Sequence, residues 1–470
     1  MEFHAVILCG QGKALNPFSK VRATGTVKAL LPIANKPMIE YVLDWCAKAF
    51  FPKITIVCDE LSKEDLVAAL KVYKSKAGLQ SENNEDSRLS NQFLDLIQVV
   101  ELATATSGEV LKFLAKSSII DPLEHFVLLP CDFITNLPPQ VLIEAYRSRL
   151  ETDIGLLCYY KNQLEIEDKK NKIFPKNYTI FAELPSGQSQ LLDYYSAEDV
   201  DFHKALKIRT QLTWKYSKSI VSTKLLNSSI FFGSANEIFG LFEKYQEKFT
   251  KIYFSNRPLI KVIRDLARLS WQSTSCENTI GFMLVPTQAQ FTRSNNLPVL
   301  LESNRYYLKL QAQANAARSS APKDKTAANV GADALIGENN ELGEKTNVKR
   351  TVVGNNCKIG KRVKLTGSII LDNAVIEDDV ALENCIIGHD VIIRSKSKLV
   401  NCNVESTHEV TKGTQAKGDT LLCLSLEGLE VEDGESAIES SLEESSSGSD
   451  YDDYEEDIEY GDNSDGLFAY

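Results

Sequence analysis

Phe3-His4-Ala5-Val6-Ile7-Leu8-Cys9-Gly10-Gln11-Gly12-Lys13 passes from a nearly continuous apolar run into a glycine-bearing loop. Such a run suits a strand buried on both faces of a parallel sheet. The apolar pattern recovers at Lys28-Ala29-Leu30-Leu31-Pro32-Ile33-Ala34-Asn35-Lys36-Pro37-Met38-Ile39. Beyond it, Ile39, Val42, Leu43, Trp45 and Cys46 fall at helical spacing. A strand feeding a Gly-rich loop at the carboxyl edge of a sheet is where open α/β folds bind phosphates. Two glycines alone would serve any tight turn, so Gly10 and Gly12 carry weight only together with the second segment.

Downstream residues continue the alternation. Strands are predicted at 54–58, 96–100, 126–132 and 154–160, and helices follow them around Leu66, Leu70 and Tyr73, from Thr106, and from Pro138-Pro139. Strands alternating with helices imply right-handed crossovers and a doubly wound sheet. Residues 80–91 read as a polar loop, and 163–216 as an insertion or β-rich lid. Asp132 ends one predicted strand. A lone acid there reads first as a turn or capping residue, and no convincing second metal-binding acid follows it.

A different period takes over past a loose Ala-, Ser-, Lys- and Gln-rich stretch at 311–329. Aliphatics stand at Ile336, Leu342 and Val348, then Val353, Ile359 and Leu365, then Ile370, Ile376 and Leu382, then Ile387, Ile393 and Leu399, with Val404 beginning another set. Each triplet is displaced from the last by 17 residues, in steps of six, six and five. One inward aliphatic per six residues, with Gly337, Gly343, Gly354, Gly360 and Gly388 nearby, describes a triangular parallel β-helix. Stacked coils bury a core that no single coil could supply. A β-sandwich would alternate with period two instead.

Composition sets the outer bounds. The chain has 470 residues, 43% hydrophobic and 25% charged, enough for two or three domains. No run approaches a membrane span, and no secretory signal is expected. The ten cysteines form no Cys-x-x-Cys pair, which speaks against a zinc site or a disulfide framework. The net charge of −12 is local. Residues 427–470 hold seventeen acids and no Lys or Arg, and removing them from the 64 acids leaves 47 against 52 basic residues. The tail should be disordered, and no dense basic run marks the body for nucleic acid.

The opening strings resemble sugar-phosphate nucleotidyltransferases, with Gly10 and Gly12 in the loop and Lys28, Leu30, Leu31, Pro32, Lys36, Pro37 and Met38 in the second segment. The resemblance makes Gly10, Gly12, Lys28 and Asp132 a vestigial nucleotide pocket, with Asp132 at the position of a metal-holding acid. Two departures stand out: Ala14 replaces the family's phosphate-binding Arg, and Val27 its Pro. An alanine offers no guanidinium fork for a transferring phosphoryl group. No catalytic residue, metal or cofactor is therefore expected. The rival reading is an active sugar-1-phosphate nucleotidyltransferase or its regulatory subunit.

Longer strings, including Leu128-Leu129-Pro130-Cys131-Asp132-Phe133, Val221-Ser222-Thr223-Lys224-Leu225-Leu226-Asn227-Ser228 and Leu382-Glu383-Asn384-Cys385-Ile386-Ile387-Gly388, resemble gamma subunits of fungal translation initiation factor 2B. The resemblance implies a nucleotidyltransferase-like domain at 1–308, a linker at 309–330, a left-handed β-helix at 331–425 and an acidic tail at 426–470. It also implies a cytosolic, non-catalytic subunit of the guanine-nucleotide exchange factor for trimeric initiation factor 2. Its partners would be the epsilon subunit, with which it scaffolds exchange, and the alpha, beta and delta subunits. The helical exchange domain of epsilon has no counterpart after this β-helix, and neither membrane nor direct nucleic-acid binding is implied.

Overall fold

The computed structural model describes residues 3–80, 96–103, 106–117, 119–164, 166, 173–272, 277–316 and 329–423. The expected loop at 80–91, for all but its first residue, and the acidic tail lie outside these residues.

The strands of the first half are β1 Phe3–Leu8, β2 Pro32–Ile33, β3 Lys36–Pro37, β4 Lys53–Cys58, β5 Ile97–Glu101, β6 His125–Pro130, β7 Phe133–Thr135, β8 Asp153–Lys161, β9 Tyr178–Glu183, β10 Ser189–Tyr195, β11 Ser219–Ser222, β12 Leu225–Ser234, β13 Thr279–Leu284 and β14 Phe291–Arg293. Ten of them form one sheet, in the order β11-β9-β10-β13-β8-β12-β6-β1-β4-β5. β6, β1, β4 and β5 run parallel, and β12 enters antiparallel between β6 and β8. The sheet is thus mixed.

β1 shows why its apolar run is nearly unbroken. Ala5 and Ile7 point into one core with helices α1 (Met38–Ala49) and α2 (Glu60–Gln80), while Val6 points into a second core on the opposite face. That second core is built with α3 (Ser107–Lys116) and α9 (Leu259–Gln272). Between them lie α4 (Pro139–Arg147), α5 (Ala197–His203), α6 (Thr210–Lys215), α7 (Ala235–Lys244) and α8 (Lys251–Ser255). The stretch expected as an insertion or lid instead supplies β9 and β10 to the same sheet, and β11 follows directly. Its half-polar alternation reflects strands near an edge, where pairing partners are not written in local sequence.

Helix α10 (Leu297–Ala316) runs into the stretch expected as a linker. From Asn329 a parallel β-helix begins, with three sheets of six, six and five strands. After a first step of 18, Val330 opposite Val348, every register step is 17 residues: Val348 opposite Leu365, Val353 opposite Ile370, Ile359 opposite Ile376. The predicted aliphatics point inward and form a single core, which continues past Val404 to Val410, Ala416 and Leu421.

One face of this prism is also apolar outward. Ile369, Leu371 and Ile386 are buried against Leu15, Phe18, Leu31, Ile33, Met38, Ile134 and Leu300. The N-terminal sheet and the β-helix accordingly share one compact unit, Met1–Leu424. Polar contacts frame the seam: Asn35 Nδ2 donates to the Val353 carbonyl at 2.7 Å, Arg305 to Asn384 Oδ1 at 2.6 Å, and Arg22 pairs with the buried Glu405.

Candidate functional site

Gly10-Gln11-Gly12 leaves the carboxyl end of β1 between β4 and β6, the position that parallel topology reserves for ligands. Gly12 sits at φ +78°, and a Cβ there would lie 3.0 Å from Lys28 Cβ. It is glycine so that the lysine stem can cross beneath the loop. Gly10 is different: a Cβ on it would meet nothing within 4 Å and would project into open space. Ala14 is exposed on the turn Lys13–Leu15, whose Leu15 is anchored in the apolar seam with the β-helix.

The structure brings Lys28 and Asp132 together. Lys28 Nζ donates to Asp132 Oδ2 at 2.6 Å. A third residue, absent from the sequence reading, completes the group. Arg293, at the end of β14, donates through Nε to Oδ1 at 3.0 Å and through Nη2 to Oδ2 at 3.1 Å. Its Nη1 donates to Ser229 Oγ at 2.6 Å. β14 pairs with β7 so that Arg293 faces Phe133, which delivers the guanidinium to the neighbouring Asp132. The strand-ending acid is therefore neither a turn nor a helix cap; it is a fully buried counter-ion.

Burial alone would push the Asp132 carboxyl up, but Arg293 and Lys28 hold it far below the usual carboxylate range. Burial would likewise depress Lys28 and Arg293, and the same carboxylate outweighs it and raises both. All three are charged, so the cluster carries one net positive charge. Above it lies a cavity of about 390 Å³, lined by Gly10, Gly12, Lys28 and Arg293 and by apolar Leu102, Val110, Leu259 and Ile263. Asp59, a second carboxylate that the sequence reading did not single out, lines the same cavity at the end of β4.

These residues do not fit a divalent metal. Both Asp132 oxygens accept from cations, and among the described residues no group of three His, Cys, Asp or Glu could hold an ion. An ionised carboxylate filled by three donors is also a poor general base. The arrangement, with its net positive floor, can accommodate an anion.

Translation initiation factor eIF2B subunit gamma of Schizosaccharomyces pombe is 27% identical over 366 residues, 74% of this chain and 74% of that protein. A family model described as the EIF2B subunit epsilon LbH domain matches residues 315–416. The two similarities reach the same factor through different subunits, and the second makes the β-helix a left-handed one. No helix among the described residues is long and apolar enough to cross a membrane.

Proposed function

We propose that this chain is a non-catalytic, gamma-type subunit of the guanine-nucleotide exchange factor for translation initiation factor 2. It pairs with the epsilon subunit in the cytosol, joins alpha, beta and delta subunits, and offers surface to the trimeric substrate factor. It promotes replacement of GDP by GTP as a scaffold for the epsilon subunit and a surface for the substrate factor. The observation that carries the non-enzymatic half of this reading is Asp132, locked between Lys28 and Arg293 where a nucleotidyltransferase would place its metal. The similarity to eIF2B subunits supports the other half. Gly10, Gly12, Lys28 and Asp132 are then the remnant of a nucleotide pocket, kept because Gly12 and Lys28 pack together and Asp132 offsets one of the two buried cations.

Purification of the tagged chain from its own cells tests this. Stoichiometric recovery of an epsilon-like subunit, further subunits and initiation factor 2 is expected. A homo-oligomer that converts a sugar 1-phosphate and a nucleoside triphosphate into a sugar nucleotide would overturn the proposal.

A further inference from the structure

The ten-stranded sheet ends on β11, which pairs with β9 along one edge; among the described residues no strand lies along the other. An unpaired edge presents backbone N–H and C=O groups that a second strand can satisfy. Ile220 and Val221, at the centre of β11, are 40% and 41% exposed. The strand that β11 pairs with is firmly packed, with Ile180 and Ala182 of β9 buried. Leu212 and Trp271 are buried beside Tyr195, and Tyr195 Oη donates to the Lys207 carbonyl at 2.8 Å.

Charge restricts what can pair there. Residues 202–236 contain six basic side chains and no acid: Lys204, Lys207, Arg209, Lys215, Lys218 and Lys224. All six are exposed, and Lys218 and Lys224 bracket the four residues of β11. The β9 register brings Glu183 level with Lys218, which leaves Lys224 the less compensated of the two. Edge lysines that guard against pairing project from the strand itself. Here the strand's centre is aliphatic and the lysines stand outside it. That arrangement repels basic strands and rewards acidic ones, which is selection rather than blockade.

We propose that the free edge of β11 is a docking site for an extended, acidic segment of a partner protein. The segment adds as a further strand, its backbone hydrogen-bonded to β11 and its carboxylates set against Lys218 and Lys224. This goes beyond the exchange-factor reading and does not depend on it.

The test uses the full chain and a fluorescein-labelled decapeptide of alternating Glu and Val, followed by anisotropy. Controls are the Lys/Val counterpart and a labelled decauridylate, because Trp214, 81% exposed on α6, could instead stack on bases. The Glu/Val peptide is expected to bind, and at least tenfold more weakly to the Lys218→Glu/Lys224→Glu double variant and to Val221→Lys. The Lys/Val peptide should not bind, and Trp214→Ala should change nothing. The double variant alters only exposed charges, so an unchanged thermal midpoint separates lost docking from misfolding. Peptide binding indifferent to the edge variants, no peptide binding up to millimolar concentration, or decauridylate binding abolished by Trp214→Ala would each overturn the proposal.

Discussion

Asp132 shows how two cations can fix a buried carboxylate in one role. Lys28 and Asp132 are legible in sequence because each belongs to a recognisable string. Arg293 is not, because β14 and β7 meet through a long-range pairing that no local pattern announces. Replacing Asp132 with Asn would leave two buried cations without a counter-ion, and should cost about 3–5 kcal/mol in urea unfolding at pH 7. The sign of the pH dependence follows from the direction of the shift. A carboxyl held below its unfolded value contributes stability above about pH 3.8, and that contribution fades only as pH falls further. His4 acts earlier. Burial lowers it from 6.5 to about 4, and its Nε2 lies 2.8 Å from Thr55 Oγ1. The unfolded chain therefore takes up a proton between pH 6.5 and 4 that the folded chain refuses. Stability should drop by about 3 kcal/mol across that window, and the drop should be missing from a His4→Asn variant.

At the scale of the element, the β-helix was legible because its period is written in side chains of one kind. Its corners were not. Positive φ recurs in three columns of period 17, for instance Asn339, Asn356, Asn373, Asp390 and Thr407, or Lys345, Arg362, Asp379, Lys396 and Gly413. Every coil turns through left-handed residues, so the 17-residue length, rather than glycine, dictates the bends. Thr407 bears the worst of this, since a β-branched side chain at φ 64° is strained. Thr407→Gly should raise stability by about 1 kcal/mol, read as a shift of the denaturant midpoint at constant slope. Position within the stack matters as well. Ile376→Ala, in the filled interior, should cost about 2–5 kcal/mol, whereas Leu342→Ala in the half-buried first coil should cost clearly less.

For the whole molecule, the decisive feature is a doublet. Ile369-Ile370 and Ile386-Ile387 place one aliphatic inside the prism and the next one out, against the N-terminal seam. The sequence period finds the inward member; the outward member looks like a redundant hydrophobe until the sheet that covers it is seen. Adjacent substitutions should therefore fail in different ways. Ile386→Asp would sink an unpaired carboxylate into the seam while leaving the coil interior intact. Calorimetry should then resolve two transitions where the native chain is expected to give one, and the β-helix should still unfold cooperatively. Ile387→Asp puts the same charge inside the stack, between Ile370 and Val404, and should abolish the β-helix transition altogether. Were both variants to melt alike in a single lowered transition, the two halves would be coupled through more than this seam. The polar frame of Arg22 with Glu405 and Arg305 with Asn384 would then be carrying the cooperativity.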